Sequence, residues 1–308
     1  MMNDKYSSFI IHHSSFIITN MQYISYLFFR GVVFLFRFLP FPIIYRLSDG
    51  LTFLLNYVVR YRKTLVWNNL KRSFPTKTDA ELKHIVYEQY RNFSDILFES
   101  FKGFSMDIET MKARYVFLEP ELLNNDTTMG GSSILMASHY SNWEWGVICM
   151  SSYYSRIILG FYKPIKNKYI DNFVKAKRAS ERMQLVSIAE TKAVFENYKG
   201  KACAYALVAD QNPSSPNSHW IKFLNQDTVC LHGGDKYARQ TGYPVFFLDM
   251  KRVKRGHYTV GTEYLVKNPL ECVEGEITQK FMSRLENKLI ENPNDWLWTH
   301  NRWKHKKK

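Results

Sequence analysis

The clearest helical pattern along the chain begins at Thr78. Thr78-Asp79-Ala80-Glu81 has the spacing of a capping box, in which the first and last side chains cap each other's backbone N–H groups. Apolar residues then recur every three or four positions to about Phe104. This spacing predicts one long amphipathic helix.

Beyond this helix, segments rich in β-branched and aromatic residues alternate with segments of helical periodicity. Strands are predicted over residues 134–138, 157–162, 202–209, 244–250 and 258–266. Helices are predicted over residues 143–151, 169–182, 191–198 and 233–241. The alternation is typical of an α/β fold with a central sheet flanked by helices.

The segment from residue 21 to residue 62 is strongly apolar and aromatic, but arginines and two prolines, Pro40 and Pro42, interrupt it. No stretch reaches the roughly 18 uncharged residues of a spanning helix. Arg30 and Arg37 are seven residues apart and fall on one helical face, so they can reach lipid phosphates while nearby apolar side chains, Phe28, Leu35 and Phe36, enter the membrane. The pattern predicts a membrane-associated helical segment lying in the plane of the membrane. A buried helix with one cationic edge and a tilted single span remain alternatives.

Residues 1–20 contain a near-repeat, Ser-Ser-Phe-Ile-Ile at 7–11 and again at 14–18, which has neither a helical nor a useful strand pattern. We therefore predict a non-native or disordered leader over 1–20, with Met21 as the start of the protein. The membrane anchor would then occupy 21–62 and the main domain 63–308.

The net charge of the chain limits the classes of partner that it could bind. The chain has 42 Lys and Arg against 28 Asp and Glu, a net charge of +14. An anionic membrane surface or an acidic protein or substrate would match this surplus, whereas no helix-turn-helix, zinc-finger or RNP-type signature supports nucleic acid. The four cysteines lie far apart without a Cys-x-x-Cys pair, which argues against a zinc site and a disulfide framework and favours a reducing compartment.

The sharpest candidate for chemistry lies where a predicted strand ends and a predicted helix begins. His139 is followed five residues later by Glu144 on the first helical turn. A neutral imidazole can take the proton of an attacking hydroxyl while a carboxylate fixes its tautomer. We interpret His139 as a general base and Glu144 as its orienting partner. The alternative is a histidine that caps the helix.

Five segments resemble one family in the same order along the chain. His139-Tyr140-Ser141-Asn142-Trp143-Glu144 resembles the His-Phe-Gly-Asn-Trp-Glu phrase of the late acyltransferases of lipid A biosynthesis, the lauroyl and myristoyl transferases. Residues 62–75, 162–167, 209–211 and 296–304 resemble further motifs of that family, and the likeness extends from about residue 21 almost to the C-terminus. Two departures stand out, because Ser141 replaces the usual Gly and Asn301 replaces an Arg of the closing motif.

The resemblance implies transfer of a fatty acyl chain from an acyl carrier protein thioester to a hydroxyl of a lipid A precursor, an anionic glycolipid. It implies a glycerolipid-acyltransferase-like fold, with the acyltransferase domain over 63–308, at the cytoplasmic face of the cell inner membrane and without a metal or cofactor. The implied catalytic residues are His139, Glu144, Arg178 and Asp210, with Arg178 preferred to Arg182 from its distance to Asp210-Gln211. Substrate contacts are expected from six further residues, Asn142, Lys163, Asn167, Arg182, Gln211 and Arg302. A lysophospholipid or other amphiphile acyltransferase, or a non-catalytic membrane-docking protein of the same fold, are the alternatives.

Overall fold

A seven-stranded mixed sheet forms the centre of the protein. A computed structural model describes the backbone of residues 3–307 and the side chains of residues 20–307. In this part of the chain the strands are β1 (Tyr115–Phe117), β2 (Ser133–Ala137), β3 (Ile157–Tyr162), β4 (Met183–Ser187), β5 (Cys203–Val208), β6 (His219–Phe223), β7 (Gln226–Cys230), β8 (Val245–Lys254) and β9 (His257–Val266). The sheet order is β1-β9-β8-β2-β5-β3-β4, and β6 and β7 form a separate antiparallel pair. Strands β8, β2, β5, β3 and β4 are mutually parallel, whereas β9 runs antiparallel to β8.

Helices cover the sheet on both faces. Along the described backbone they are α1 (Asn3–Phe38), α2 (Phe41–Phe53), α3 (Lys63–Ser73), α4 (Asp79–Gly103), α5 (Ile108–Lys112), α6 (Glu121–Asn124), α7 (Trp143–Cys149), α8 (Lys168–Arg178), α9 (Thr191–Asn197), α10 (Gly233–Thr241) and α11 (Glu276–Glu291). Side chains alternate along each strand, so Ile134 and Met136 of β2 pack with α9, α10 and α11 while Leu135 packs with α7. The predicted α/β fold, a mixed central sheet flanked by helices, is confirmed.

The capping box at the start of α4 is present as predicted. The Thr78 hydroxyl accepts the Glu81 backbone N–H, and the Glu81 carboxylate accepts the Thr78 backbone N–H at 2.7 Å. One face of α4 is buried, and it includes Leu82, Ile85 and Tyr90. This helix therefore gives the domain a rigid element against which later segments pack.

The prediction of a helix over 169–182 is wrong at its end. Helix α8 stops at Arg178, because Ala179 adopts an extended conformation, and Met183 begins β4. Met183 and Leu185 are buried with Gln184 exposed between them, which is the alternation of a sheet-edge strand. Strands β1, β4, β6 and β7 were not predicted, and each has only three to five residues.

The N-terminal helices break where the prolines predict. Helix α1 ends at Phe38, and α2 begins at Phe41 with Pro42 in its first turn. Helix α1 begins at Asn3 and includes the N-terminal repeat, although the repeat has no helical periodicity in the sequence, and the assignment of 1–20 as a leader stays a prediction. Within the described residues, no helix combines the length and apolar character that crossing a membrane requires.

One face of α1 packs against the domain and another is open. Phe28 is 75% exposed and Leu35 62% exposed, as expected for residues that could enter lipid. Phe36 is only 6% exposed because its ring stacks on Phe98 of α4 at 5.3 Å, so the prediction that Phe36 enters lipid is wrong. One side of α1 is therefore buried, as in the alternative of a buried helix. Another side is apolar and exposed, as expected for a helix that lies in the plane of the membrane.

Candidate active site

The two central strands of the sheet bring His139 and Asp210 together. Strands β2 and β5 are parallel neighbours, with Ala137 opposite Val208, and His139 and Asp210 each follow the carboxyl end of one strand. The backbone pairing continues past the strands, since the Ala209 N–H donates to the Ala137 carbonyl at 3.0 Å. In open α/β sheets this edge is where ligands bind.

Asp210 holds the His139 imidazole through its Nδ1 atom. The Asp210 Oδ1 atom lies 2.7 Å from His139 Nδ1, and Asp210 Oδ2 accepts the His139 backbone N–H at 2.9 Å and the Trp296 indole N–H at 2.8 Å. When Nδ1 carries the proton and donates it in a hydrogen bond to Asp210, His139 Nε2 is left as an acceptor, and the Gln211 amide nitrogen lies 3.3 Å from it. The dyad thus presents Nε2 for proton transfer.

Asp210 is 2% exposed and is nevertheless held as a carboxylate. Burial tends to raise its pKa, but the facing His139 charge and the hydrogen bonds from His139 and Trp296 outweigh burial, so that the pKa of Asp210 is lowered overall. An ionised Asp210 can both orient the imidazole and stabilise an imidazolium.

Glu144 does not contact the imidazole, so its predicted role as the orienting partner of His139 is wrong. Its carboxylate instead binds the Arg178 Nη2 atom at 2.7 Å and 2.5 Å. The reason is geometric: Glu144 lies on the first turn of α7 and faces the last turn of α8, whereas the strand pairing already places Asp210 against His139. Among the side chains that the structure describes, none accepts a hydrogen bond from the buried Nε donor of Arg178.

Two residues predicted to contact substrate have structural roles. Asn142 is fully buried, where its Oδ1 caps the Trp145 N–H at 3.0 Å and its Nδ2 donates to Glu99. Arg302 is 1% exposed and donates to the Val229 carbonyl at 2.7 Å. Because neither side chain reaches a ligand-accessible surface, these two predictions are wrong.

The other predicted contacts divide between the cavity and its surroundings. Lys163 and Gln211 line the large cavity next to His139. Arg182 is exposed and lies outside that cavity, so the predicted contact of Arg182 finds no support in the geometry. Asn167 caps α8 through the Tyr169 and Ile170 N–H groups, and its substrate contact stays a prediction.

A cavity of about 830 Å³ extends from His139 into the apolar interior. Its polar end is formed by His139, Glu144 and Arg178, with Lys163 and Lys304 also in its wall. Its apolar part runs between α7 and the sheet and is lined by aliphatic and small residues that include Gly146, Gly160, Met183, Leu185, Ala206, Leu248 and Met250. A polar group at the mouth of an apolar channel suits an amphiphile whose reactive end stays at His139.

Two residues of this site were not expected from the sequence. Trp296 donates its indole N–H to the Asp210 carboxylate. His300 lines the cavity and its Nε2 contacts the Asn212 side-chain oxygen, and burial is the main cause that lowers its pKa to about 4. His300 is therefore neutral near pH 7. The sequence feature that could have indicated Trp296 and His300 is the closing motif Trp-Leu-Trp-Thr-His, to which both residues belong.

Ser141 adopts a left-handed backbone with φ 59° and is buried, and its N–H donates to the Asp295 carbonyl at 2.8 Å. This conformation costs an L-residue energy and costs glycine none. The backbone therefore explains why Gly is usual at this position in the family that the motif resembles.

The sequence is similar to one known protein family over nearly its whole length. The family model for bacterial lipid A biosynthesis acyltransferase matches residues 14–305. The chain belongs to this acyltransferase family. The lipid A biosynthesis lauroyltransferase of Escherichia coli (strain K12) is 24% identical to it over 281 residues, which cover 89% of each protein. The match to the family begins at residue 14, which is earlier than the expected start at about residue 21.

In this lipid A acyltransferase the family assignment and the geometry concern the same residues. The resemblance implied that His139, Glu144, Arg178 and Asp210 act together. In the structure they form two pairs, His139–Asp210 and Glu144–Arg178, and His139, Glu144 and Arg178 line one cavity while Asp210 lies behind His139. Which of these side chains carry catalysis stays a prediction.

Proposed function

We propose that the protein transfers a fatty acyl chain from the thioester of an acyl carrier protein to a hydroxyl of a lipid A precursor. The observation that carries the proposal is the His139–Asp210 pair at the polar end of a deep apolar cavity. The cavity accommodates the acyl chain, and the pair lies where the thioester carbonyl would then be. Membership of the lipid A acyltransferase family supports the glycolipid acceptor.

In the proposed reaction His139 Nε2 takes the proton of the acceptor hydroxyl as the oxygen attacks the thioester carbonyl. Asp210 stabilises the imidazolium that forms. The tetrahedral intermediate collapses with cleavage of the carbon–sulfur bond, and the proton passes from His139 to the departing thiolate. The products are an ester and a free thiol, so atoms and charge balance without a cofactor.

Arg178 is the proposed electrostatic partner of this reaction. Its guanidinium is held by Glu144 at one nitrogen, and its buried Nε donor has no partner within the described part of the chain. A fixed cationic donor of this kind can stabilise the oxyanion or bind a phosphate of the acceptor. Glu144 thus acts on the reaction through Arg178.

The cationic surface supports an acidic acyl carrier protein as donor. Lys163 and Lys304 line the cavity, and the chain as a whole has a net charge of +14. Charges at the rim of an interface mainly raise the rate of association and select the partner. The same lysines could bind the phosphates of a glycolipid.

We propose that the protein works at the cytoplasmic face of the inner membrane, held by the exposed apolar side of α1 and α2. Exposed large apolar side chains cluster there, among them Phe28, Phe34, Leu35, Phe38, Leu47 and Phe53. Arg30 and Arg37 are exposed on α1 and would add about 1 kcal/mol each at an anionic surface.

High salt alone should therefore leave the protein on membranes, because apolar insertion is not screened. Sedimentation of membranes washed in high salt measures this, with a detergent wash as the positive control. Complete release by salt would contradict the insertion and leave a purely electrostatic attachment.

Replacing Gly160 by leucine should shorten the acyl chain that the enzyme accepts. A Cβ atom at Gly160 would lie 3.0 Å from Met183 Cε and 3.1 Å from Leu185 Cδ2, and all three residues line the cavity. If the leucine displaces four methylenes of a long chain at about 0.8 kcal/mol each, kcat/KM for that donor falls by about 10²-fold.

Competition between long- and short-chain acyl carrier protein thioesters measures the preference of the Gly160→Leu variant. Gly233→Leu is the matched control, because Gly233 is exposed at the start of α10 with no atom within 4 Å of a Cβ. An unchanged preference in Gly160→Leu would show that the acyl chain lies elsewhere.

The proposed function is tested with purified protein and lipid A precursor, with lysophosphatidic acid as the competing acceptor. Mass spectrometry of the products should show one added acyl chain on the precursor when the donor is an acyl carrier protein thioester. Transfer only to lysophosphatidic acid would assign the alternative acceptor class. No transfer to either acceptor, together with unchanged lipid A in a deletion strain, would contradict the proposal.

A further inference from the structure

The carboxylate of Glu99 lies wholly buried behind the catalytic loop and accepts three hydrogen bonds. Its donors are Asn142 Nδ2 at 2.7 Å, Tyr258 Oη at 2.6 Å and Tyr45 Oη at 2.9 Å. These come from the loop before α7, from β9 and from α2. Glu99 therefore joins three separate parts of the fold at one point on α4.

The Glu99 carboxylate determines which way the Asn142 amide faces. An ionised carboxylate only accepts hydrogen bonds, so the amide nitrogen of Asn142 must turn towards Glu99. Its Oδ1 atom then faces the Trp145 N–H and caps α7 at 3.0 Å. A second link joins the same two helices, because the Trp145 indole N–H donates to the Glu99 carbonyl at 2.8 Å.

We infer that Glu99 is a positioning residue for the acyl transfer, acting through Asn142 on the first turn of α7. This inference rests on the proposed function. His139 lies three residues before Asn142 and Glu144 two residues after it, so the clamped amide lies between the two pairs of the site. Glu99 itself touches neither His139 nor the cavity.

An acceptor facing Asn142 Nδ2 is what this place requires. Burial and the nearby Asp95 charge raise the pKa of Glu99 to about 7, although hydrogen bonds from Tyr258 and Tyr45 and the charge of Arg252 oppose that shift, so variants are compared above pH 7, where the carboxylate is the main form. Glutamine could keep the Asn142 and Tyr258 hydrogen bonds through its oxygen and donate to the Tyr45 hydroxyl, which can also accept. Leucine, in contrast, leaves the Asn142 amide nitrogen without its acceptor on α4.

Glu99→Leu is therefore expected to lower kcat by about 10- to 100-fold, because displacements near 1 Å in a reacting geometry have effects of this size. The KM for the acyl donor should change little, since the cavity is intact. Asp95→Asn is the matched control: it lies one turn earlier on α4, is equally buried, and its hydrogen bonds go to Ser48, Arg252 and Arg255. Asp95→Asn should lose thermal stability and keep kcat within about twofold of wild type, on the scale of uninvolved sites.

A reversed pair separates positioning from loss of stability. In Asn142→Asp alone two carboxylates face each other. In the double variant that combines Glu99→Gln with Asn142→Asp, the new amide on α4 donates to the new carboxylate, which still caps α7. The double variant should recover most of the kcat lost by Asn142→Asp alone. Retained kcat in Glu99→Leu, no recovery in the double variant, or an equal loss in Asp95→Asn would each overturn the inference.

Amide hydrogen exchange over residues 142–147 gives a readout that does not depend on activity. Exchange there should accelerate in Glu99→Leu and in Asn142→Asp, remain near wild type in Asp95→Asn and return towards wild type in the double variant. Unchanged exchange in Glu99→Leu would overturn the inference while leaving acyl transfer by the wild-type protein intact. If the wild-type protein transfers no acyl chain, the proposed function fails, and the exchange data still decide whether Glu99 positions α7.

Discussion

Exchanging Asp210 for asparagine should lower kcat by about 10³- to 10⁴-fold, as expected when a catalytic imidazole loses the carboxylate that fixes its tautomer. Asp210 accepts three N–H groups, two from His139 and one from Trp296. The asparagine amide cannot accept all three and would present N–H₂ to one of them. The imidazole could then turn its protonated nitrogen towards the cavity, where it cannot act as a base.

Single-turnover acyl transfer measures the Asp210→Asn effect separately from product release. Asp235→Asn is the control. Asp235 is also fully buried and accepts backbone N–H groups, but these groups belong to Ile277 and Thr278 at the start of α11. Glu144→Gln should have a smaller effect than Asp210→Asn, since Glu144 orients Arg178 and does not contact the imidazole. The opposite ranking would restore Glu144 as the partner of His139.

His139→Ala should lower turnover by about 10²- to 10⁴-fold, the range for loss of a general base. The apolar part of the cavity is formed by other residues, so the KM for the acyl donor should change little. Activity of the variant should rise at high pH, where hydroxide can partly replace the imidazole.

The measurement is kcat and donor KM across pH, with His84→Ala as the control because His84 is exposed on α4. Near-normal turnover in His139→Ala, combined with inactivity of Arg178→Ala, would place the chemistry at Arg178. Loss of donor binding in His139→Ala would instead make His139 a structural residue.

Much of the fold could be predicted because its signals are local. The capping box at Thr78, the prolines at 40 and 42, and the apolar segments of β2, β3 and β5 each depend on adjacent residues. The short strands β1 and β4 are defined by pairing with distant strands, and a segment of three to five residues has no periodicity of its own. For the same reason α8 was predicted to run on through Arg182.

The site was predicted only in part, because residue spacing shows local contacts and does not show which distant residues meet. His139 and Glu144 were expected to pair because they are five residues apart, yet the actual partner of His139 is 71 residues away in sequence. Adjacency of β2 and β5 decides this, and strand order is not visible in residue spacing. Asn142 and Arg302 were expected to contact substrate from the family resemblance, whereas each satisfies buried groups that only the folded chain creates.

The hydrogen bond from Trp296 to Asp210 has a consequence for biosynthesis. Asp210 can meet His139 as soon as β2 and β5 pair, but the third donor to its carboxylate arrives only when the segment around Trp296 packs against the loop of His139. In a nascent chain that still lacks that segment, His139 could pair with Asp210, but the Asp210 carboxylate would lack the hydrogen bond from Trp296. Early termination upstream of Trp296 would therefore yield fragments in which the Asp210 carboxylate lacks one of its three donors.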